Sequence, residues 1–246
     1  MIIGIKNTIP TSNNLAPKWL PSDESTLEAW YKNKTGITLN GSDVSAWADS
    51  SSNSYNMVQA TATKQPAYNA STGALTFVYT DEQALVSSSD IGGAGGLDDE
   101  FIIGFKTNVN RRNVVNLGHS GSTTEMIKFG PGSNNRIRVK PGSDAVDYDM
   151  ESGHDVEDDC TWIIVRKNNG EVSVYKDLPS SKTLVQQDSA QDCTGDFILN
   201  TIGARGHGSQ PNYFDGTMKE IVIFKDVADA DSDALRDNLY ERLKDL

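Results

Sequence analysis

Tyr213-Phe214-Asp215-Gly216-Thr217-Met218-Lys219-Glu220-Ile221-Val222-Ile223-Phe224 decides the fold of this chain. Asp215-Gly216 reads as a turn, because glycine tolerates the positive φ that such turns need. In the extended strand that follows, Ile221 and Ile223 point to one face, Val222 and Phe224 to the other. Both faces are apolar, which predicts a mid-sheet strand covered on both sides. A helix signal comes directly after. Asp229 or Asp231 can cap it, and Leu235, Leu239, Leu243 and Leu246 form one stripe.

The same pattern of short strands between turn signals extends upstream. Phe101, Ile103 and Phe105 share one face of a strong strand, and residues 113–117 and 126–129 continue the sheet. Residues 161–167 and 171–176 flank Asn169-Gly170 and predict a hairpin with a type I′ turn. Residues 197–203 give a further strand. Many short strands and one helical stripe predict two packed antiparallel sheets with a C-terminal helix. At 246 residues the chain fits one such sandwich.

Residues 1–21 have no clean period and are interrupted by Pro10, Pro17 and Pro21. They predict an extended N-terminal arm ahead of a domain at 22–246. Ile2, Ile3 and Ile5 either anchor that arm on a neighbour or lay it on the sandwich as a first strand.

The end of the chain, with F-D-G, an apolar strand ending in Phe224, a short acidic loop and an amphipathic helix, resembles the close of a laminin-G-like jelly roll. This is the concanavalin A-like sandwich of lectins and glucanases. The hairpin W-I-I-V … G-E-V-S-V-Y resembles the middle hairpin of that family. A-W-Y at 29–31, V-S-A-W-A-D-S-S-S-N at 44–53, Q-P-A-Y-N at 65–69 and A-L-T-F at 74–77 resemble the front half of laminin-G-like proteins of tailed bacteriophages. The resemblance covers residues 26–246. It implies core tryptophans, and a polar loop after Asp49 in which Ser52 and Ser54 stand where the family often has glycine. It also implies a calcium site, with Asp49 or Asp215 as the candidate ligand, for which Asx-turn capping by each aspartate is the competing role.

The formal net charge of −12 argues against a nucleic-acid partner. No apolar run reaches membrane-spanning length. The first residues lack a signal peptide's apolar core, so folding in the cytoplasm is expected. Cys160 and Cys193 form no C-x-x-C pair and read as small buried residues.

Arg136, Arg138 and Lys140 fall on one face of an alternating segment. They read either as charges protecting an edge strand or as a docking face for an acidic neighbour or anionic glycan. A glycosidase needs two close carboxylates. Glu220 is alone in its strand, Asp98-Asp99-Glu100 precede theirs, and Glu157-Asp158-Asp159 sit in a loop. His119, His154 and His207 show no ligand spacing, and no G-x-S-x-G elbow exists. No catalytic residue is assigned.

The expectation is a non-enzymatic phage virion structural protein in the head, neck, tail or fibre. It would be multi-copy, assembled in the host cytoplasm, and docked on other virion proteins. The alternative is a carbohydrate-binding module for a host surface glycan, for which Trp19, Tyr148 and Tyr213 are the candidate aromatics.

Overall fold

The computed structural model of the chain describes residues 18–97, 100–142, 145–150, 155–157, 159–177, 186–187, 193, 195–206 and 212–246. The anchors Ile2, Ile3 and Ile5 lie outside these residues, as do Asp98, Asp99, Asp158, His154 and His207.

In chain order the first strands are β1 (Leu27–Tyr31), β2 (Ile37–Asn40), β3 (Asp43–Trp47), β4 (Met57–Val58), β5 (Ala67–Asn69), β6 (Ala74–Phe77) and β7 (Leu85–Ile91). Then come β8 (Phe101–Val109), β9 (Val114–Gly118), β10 (Met126–Phe129), β11 (Arg136–Lys140), β12 (Val146–Asp149), β13 (Cys160–Arg166) and β14 (Val172–Lys176). The last are β15 (Gln186–Gln187), β16 (Leu199–Ile202), β17 (Ala204–Arg205), β18 (Asn212–Tyr213) and β19 (Gly216–Lys225), followed by helix α1 (Asp229–Leu243).

All pairings are antiparallel. In one sheet β1 and β6 share an edge of β19, whose other edge pairs with β8, followed by β13 and β14. The other sheet runs β2-β3-β4-β7-β16-β9-β10-β11-β12-β15. This is the two-sheet jelly-roll sandwich with a C-terminal helix that the sequence predicts. The opening stretch lies mid-sheet between β1 and β8. Ile221 and Ile223 enter the inter-sheet core with Phe105, Trp162 and Phe129, while Val222 and Phe224 face the helix. Trp30, Trp47 and Trp162 are all buried.

The helix packs its leucines on the outer face of the first sheet. Gly104 makes the close approach possible, since a Cβ there would fall 2.4 Å from Leu239 Cδ2. Leu235, Leu239 and Leu243 are buried, and Leu246, past the helix end, packs on the same cluster. Neither predicted aspartate caps the helix. The N-cap is Ala228, and Asp229 and Asp231 lie in the first turn, where their charge favours the helix dipole. Glu220 is fully buried and accepts from Trp30 Nε1 at 2.9 Å and the Asn33 amide at 3.1 Å. Its carboxylate also meets the Arg242 guanidinium through both oxygens, tying helix to sheet.

Two local expectations are corrected. The 167–171 turn is not type I′: Gly170 alone takes positive φ, at 84°, while Asn169 does not. With Gly170 N–H donating to Lys167 C=O, the turn is type I followed by a left-handed glycine, the three-residue hairpin form. Strand β11 is not an edge strand, since β10 and β12 flank it. Ser54, at a position where glycine is common in the resembled family, takes φ of 64°. Cys160 and Cys193 are both fully buried. Among the described residues no helix is long and apolar enough to cross a membrane.

Candidate functional site

Strand alternation builds the site. In the second sheet Trp47, Met57, Leu85, Ile202, Leu117, Ile127 and Val139 point into the core. One residue away, Ala46, Val58, Val86, Thr201, Gly118, Met126 and Lys140 therefore form a continuous cross-strand row on the outer face. The helix lies on the other sheet, so this face is free of it. The short β17–β18 ribbon crosses the row at Gly118. A Cβ on Gly118 would fall 2.6 Å from the Ala204 carbonyl and 2.9 Å from Arg205 Cβ, so only glycine lets the ribbon lie on the sheet.

Where ribbon and sheet meet, a recess of about 210 Å³ forms, lined by Val86, Ala84, Thr201, Gln59, Arg205 and Tyr213. It combines an aromatic ring, small apolar side chains and hydrogen-bonding groups. Tyr213 stands edge-on to Tyr79 at 6.2 Å, and the Arg111 guanidinium covers Tyr79 at 4.4 Å. The Lys64–Glu82 ion pair, 2.6 Å, walls one side. A larger hollow of about 570 Å³ beyond that pair is lined by Asp43, Thr63, Thr80 and Asp81 and has no aromatic wall.

A second outer row carries charge. Lys128, Arg138 and Asp147 are direct cross-strand neighbours on β10, β11 and β12. Arg138 grips Asp147 through Nε and Nη2, each at 2.6 Å. Arg136 bonds Asp149 at 2.8 Å and Asp147 at 3.2 Å. Two of the three cations expected to dock a partner are thus held by their own sheet, and Lys140 is half-buried beside Met126. Burial alone would raise the Asp147 carboxyl, but the hydrogen bonds and charges of Arg138 and Arg136 outweigh it and hold it below its usual value.

Sequence reasoning missed two features here. Asp147 and Asp149 alternate on one strand face, the spacing sought and not found among the other acids. Their signal was D-x-D within an apolar alternation. Lys128 is the other: nine-tenths buried at 9% exposure, it has no hydrogen-bond or ion-pair partner among the described residues. Burial, then Arg205 and Arg138, push its ammonium down to about 8 from an ordinary value near 10.5. Between those values the unfolded chain binds more protons, so stability rises with pH across the window, and the penalty is complete below it. Lys128→Met is expected to stabilise the domain at pH 7 by on the order of 1 kcal/mol, a gain that fades toward pH 10.5. Urea melts of both proteins at pH 7 and pH 10 check this; a destabilised variant at pH 7 contradicts it.

The other candidates fall elsewhere. Asp49 Oδ1 accepts from the Trp30 and Ser51 amides, both at 2.8 Å, and Oδ2 from Ser51 Oγ at 2.7 Å and the Tyr55 amide at 3.0 Å. That is the Asx-turn role. Asp215 accepts from Asn110 Nδ2 at 3.2 Å. Asp49 sits by Trp30, whose register partner is Val222, whereas Asp215 precedes Gly216, roughly 20 Å down the strand at about 3.3 Å per residue. The two aspartates therefore lie apart, each as a separate candidate, and no group of three metal-binding side chains converges among the described residues. Tyr148 is buried and donates to the Val172 carbonyl, so it is core, not a sugar platform. Trp19 packs on Phe224 at 6.3 Å, on the helix side. Tyr213 alone of the three aromatics lies on the outer face of the second sheet.

No known family description matches the chain, and no curated protein matches it. Solved structures do. Domain 4 of AbnA, a GH43 extracellular arabinanase from Geobacillus stearothermophilus, in complex with arabinotriose, superposes with a TM-score of 0.52 at 15% identity, covering 81% of this chain and 92% of that domain. Trypanosoma rangeli sialidase gives 0.54 at 14% identity over 89% of this chain. The binding domain of botulinum neurotoxin DC in complex with SialylT gives 0.52 at 12% identity over 87%. The chain spans 33% of the sialidase and 51% of the neurotoxin domain. At these identities the likeness is one of fold.

Proposed function

We propose that this chain is a non-catalytic carbohydrate-binding domain that holds an oligosaccharide on the outer face of its second sheet. The observation that carries the reading is the recess at the β17–β18 ribbon, where Tyr213 offers a ring beside Val86, Thr201 and Arg205 on a face the helix leaves open. Shared fold with domains solved in complex with arabinotriose and SialylT supports it by analogy.

The acids support a binding role over hydrolysis. Glycosidases keep one carboxyl protonated through a raised pKa. Asp147 is instead held low, and both it and Asp149 are engaged by arginines. His119 has both ring nitrogens committed: Nε2 meets Asp90 Oδ1 at 3.1 Å, and Nδ1 accepts the Gly121 amide at 3.1 Å. No lone pair remains on it to serve as a general base.

The virion-docking reading draws less support. Arg136 and Arg138 are satisfied within the sheet, and the arm anchors lie outside the described residues.

A glycan array probed with the purified domain tests the proposal, followed by calorimetry on the hits. Tyr213→Ala is expected to weaken binding about tenfold while leaving the fold intact, since the ring is half-exposed and contributes stacking rather than core. Unchanged affinity in that variant would move the site off this face.

A further inference from the structure

We propose that the outer face contains an anion subsite centred on Lys128, which takes the carboxylate or sulfate ester of an acidic glycan; this rests on the glycan-binding reading above.

The ammonium of Lys128 stands out among the buried cations. Arg242 is neutralised by Glu220, Arg236 by Asp233 and Asp237, and Lys106 lies 3.9 Å from Asp159. Among the described residues Lys128 has no such partner, in a chain carrying 34 acidic residues against 22 basic ones. Its charged neighbours are other cations, Arg205 and Arg138. Arg138 is occupied by Asp147. Arg205 spends Nη1 on the Thr123 carbonyl, while its Nε is buried without an acceptor.

Other orphaned polar groups gather around the same strand and ribbon. Asn116, fully buried on β9 one residue from Lys128's cross-strand partner Val115, has neither side-chain atom satisfied among the described residues. Asn212 is the register partner of Arg205, and its Oδ1 is likewise unpaired. Buried polar atoms are nearly always satisfied, and an unpaired buried cation costs more than a neutral orphan. Two unmet cationic donors on neighbouring side chains, Lys128 Nζ and Arg205 Nε, are the complement of an oxyanion. Arg205 also lines the recess with Tyr213, which puts the anion subsite next to the proposed sugar platform. A bound anion would restore the charge balance that the bare lysine lacks.

Calorimetric titration of the full chain with neutral, uronic-acid-containing and sulfated oligosaccharides of matched length tests this, using wild type, Lys128→Met and Lys128→Arg. The expected result is that one acidic set binds wild type about tenfold or more tightly than the neutral set. Lys128→Met should abolish that preference, and Lys128→Arg should retain it. The carboxylated and sulfated arms identify which anion is used, and thermal melts confirm that each variant is folded. Equal binding of acidic and neutral sets, or a preference that survives in Lys128→Met, would overturn the anion subsite and leave glycan binding standing. Absence of binding to all three sets would overturn the glycan reading itself.

Discussion

Glu220→Gln is expected to lower the stability of the domain by about 3–5 kcal/mol, the cost of breaking a buried ion pair from one side. Glutamine keeps the shape of the side chain but strips the counter-charge from Arg242, whose side chain is only 12% exposed. Trp30 Nε1 donates to one carboxylate oxygen and the Asn33 amide to the other, so glutamine, with a single oxygen, also leaves one of these buried donors without an acceptor. A change of that size is a large part of the 5–15 kcal/mol that holds a typical domain together. Pairing Glu220→Leu with Arg242→Met should recover part of it, because neither charge is then left uncompensated although Trp30 Nε1 and the Asn33 amide lose their acceptors. Urea melts of the single and double variants decide the matter. A single variant within about 1 kcal/mol of wild type would mean that this pair does not tie helix to sheet.

Leu239→Asp should be comparably damaging. Leu239 is fully buried, seated on Gly104 amid Ile102, Ile163, Val165 and Val222. The substitution removes buried apolar surface and places a carboxylate among side chains with nothing to pair it, for a loss of about 3–5 kcal/mol. Leu239→Ala, which leaves only a cavity, should cost about 2–5 kcal/mol at the same site. A melting temperature for Leu239→Asp equal to that of wild type would show that the helix does not dock through this stripe.

The elements that sequence made legible are those set by periodicity. Alternation put Ile221 and Ile223 in the core, and the 3.6-residue spacing put Leu235, Leu239 and Leu243 on the sheet. What it left hidden depends on which strands become neighbours. Arg136, Arg138 and Lys140 read as a free basic face so long as Val146–Asp149 is not read as a strand; β12 follows β11 directly and pairs with it, which sets Asp147 and Asp149 opposite the arginines. Tyr148 read as an exposed aromatic, yet in the same alternation it is the inward residue between those two outward aspartates. Its neighbours could have given this away. The Glu220–Arg242 pair spans 22 residues and depends on how the helix lies across the sheet, which no local signal encodes. Lys128 sits in a four-residue strand, and its neighbour Arg205 comes from the ribbon far downstream, which no local pattern encodes.

The recess beside Tyr213 and the unpaired Lys128 belong to one face, and that shared placement is the heart of the glycan-binding proposal. Amide chemical-shift mapping addresses it directly, titrating isotope-labelled domain with the tightest oligosaccharide from the array. The proposal predicts perturbations confined to the outer face of the second sheet, centred on Val86, Thr201, Arg205 and Tyr213 and reaching Lys128. Shifts clustered on the helix side around Trp19 and Leu235, or a spectrum unchanged at saturating sugar, would contradict it.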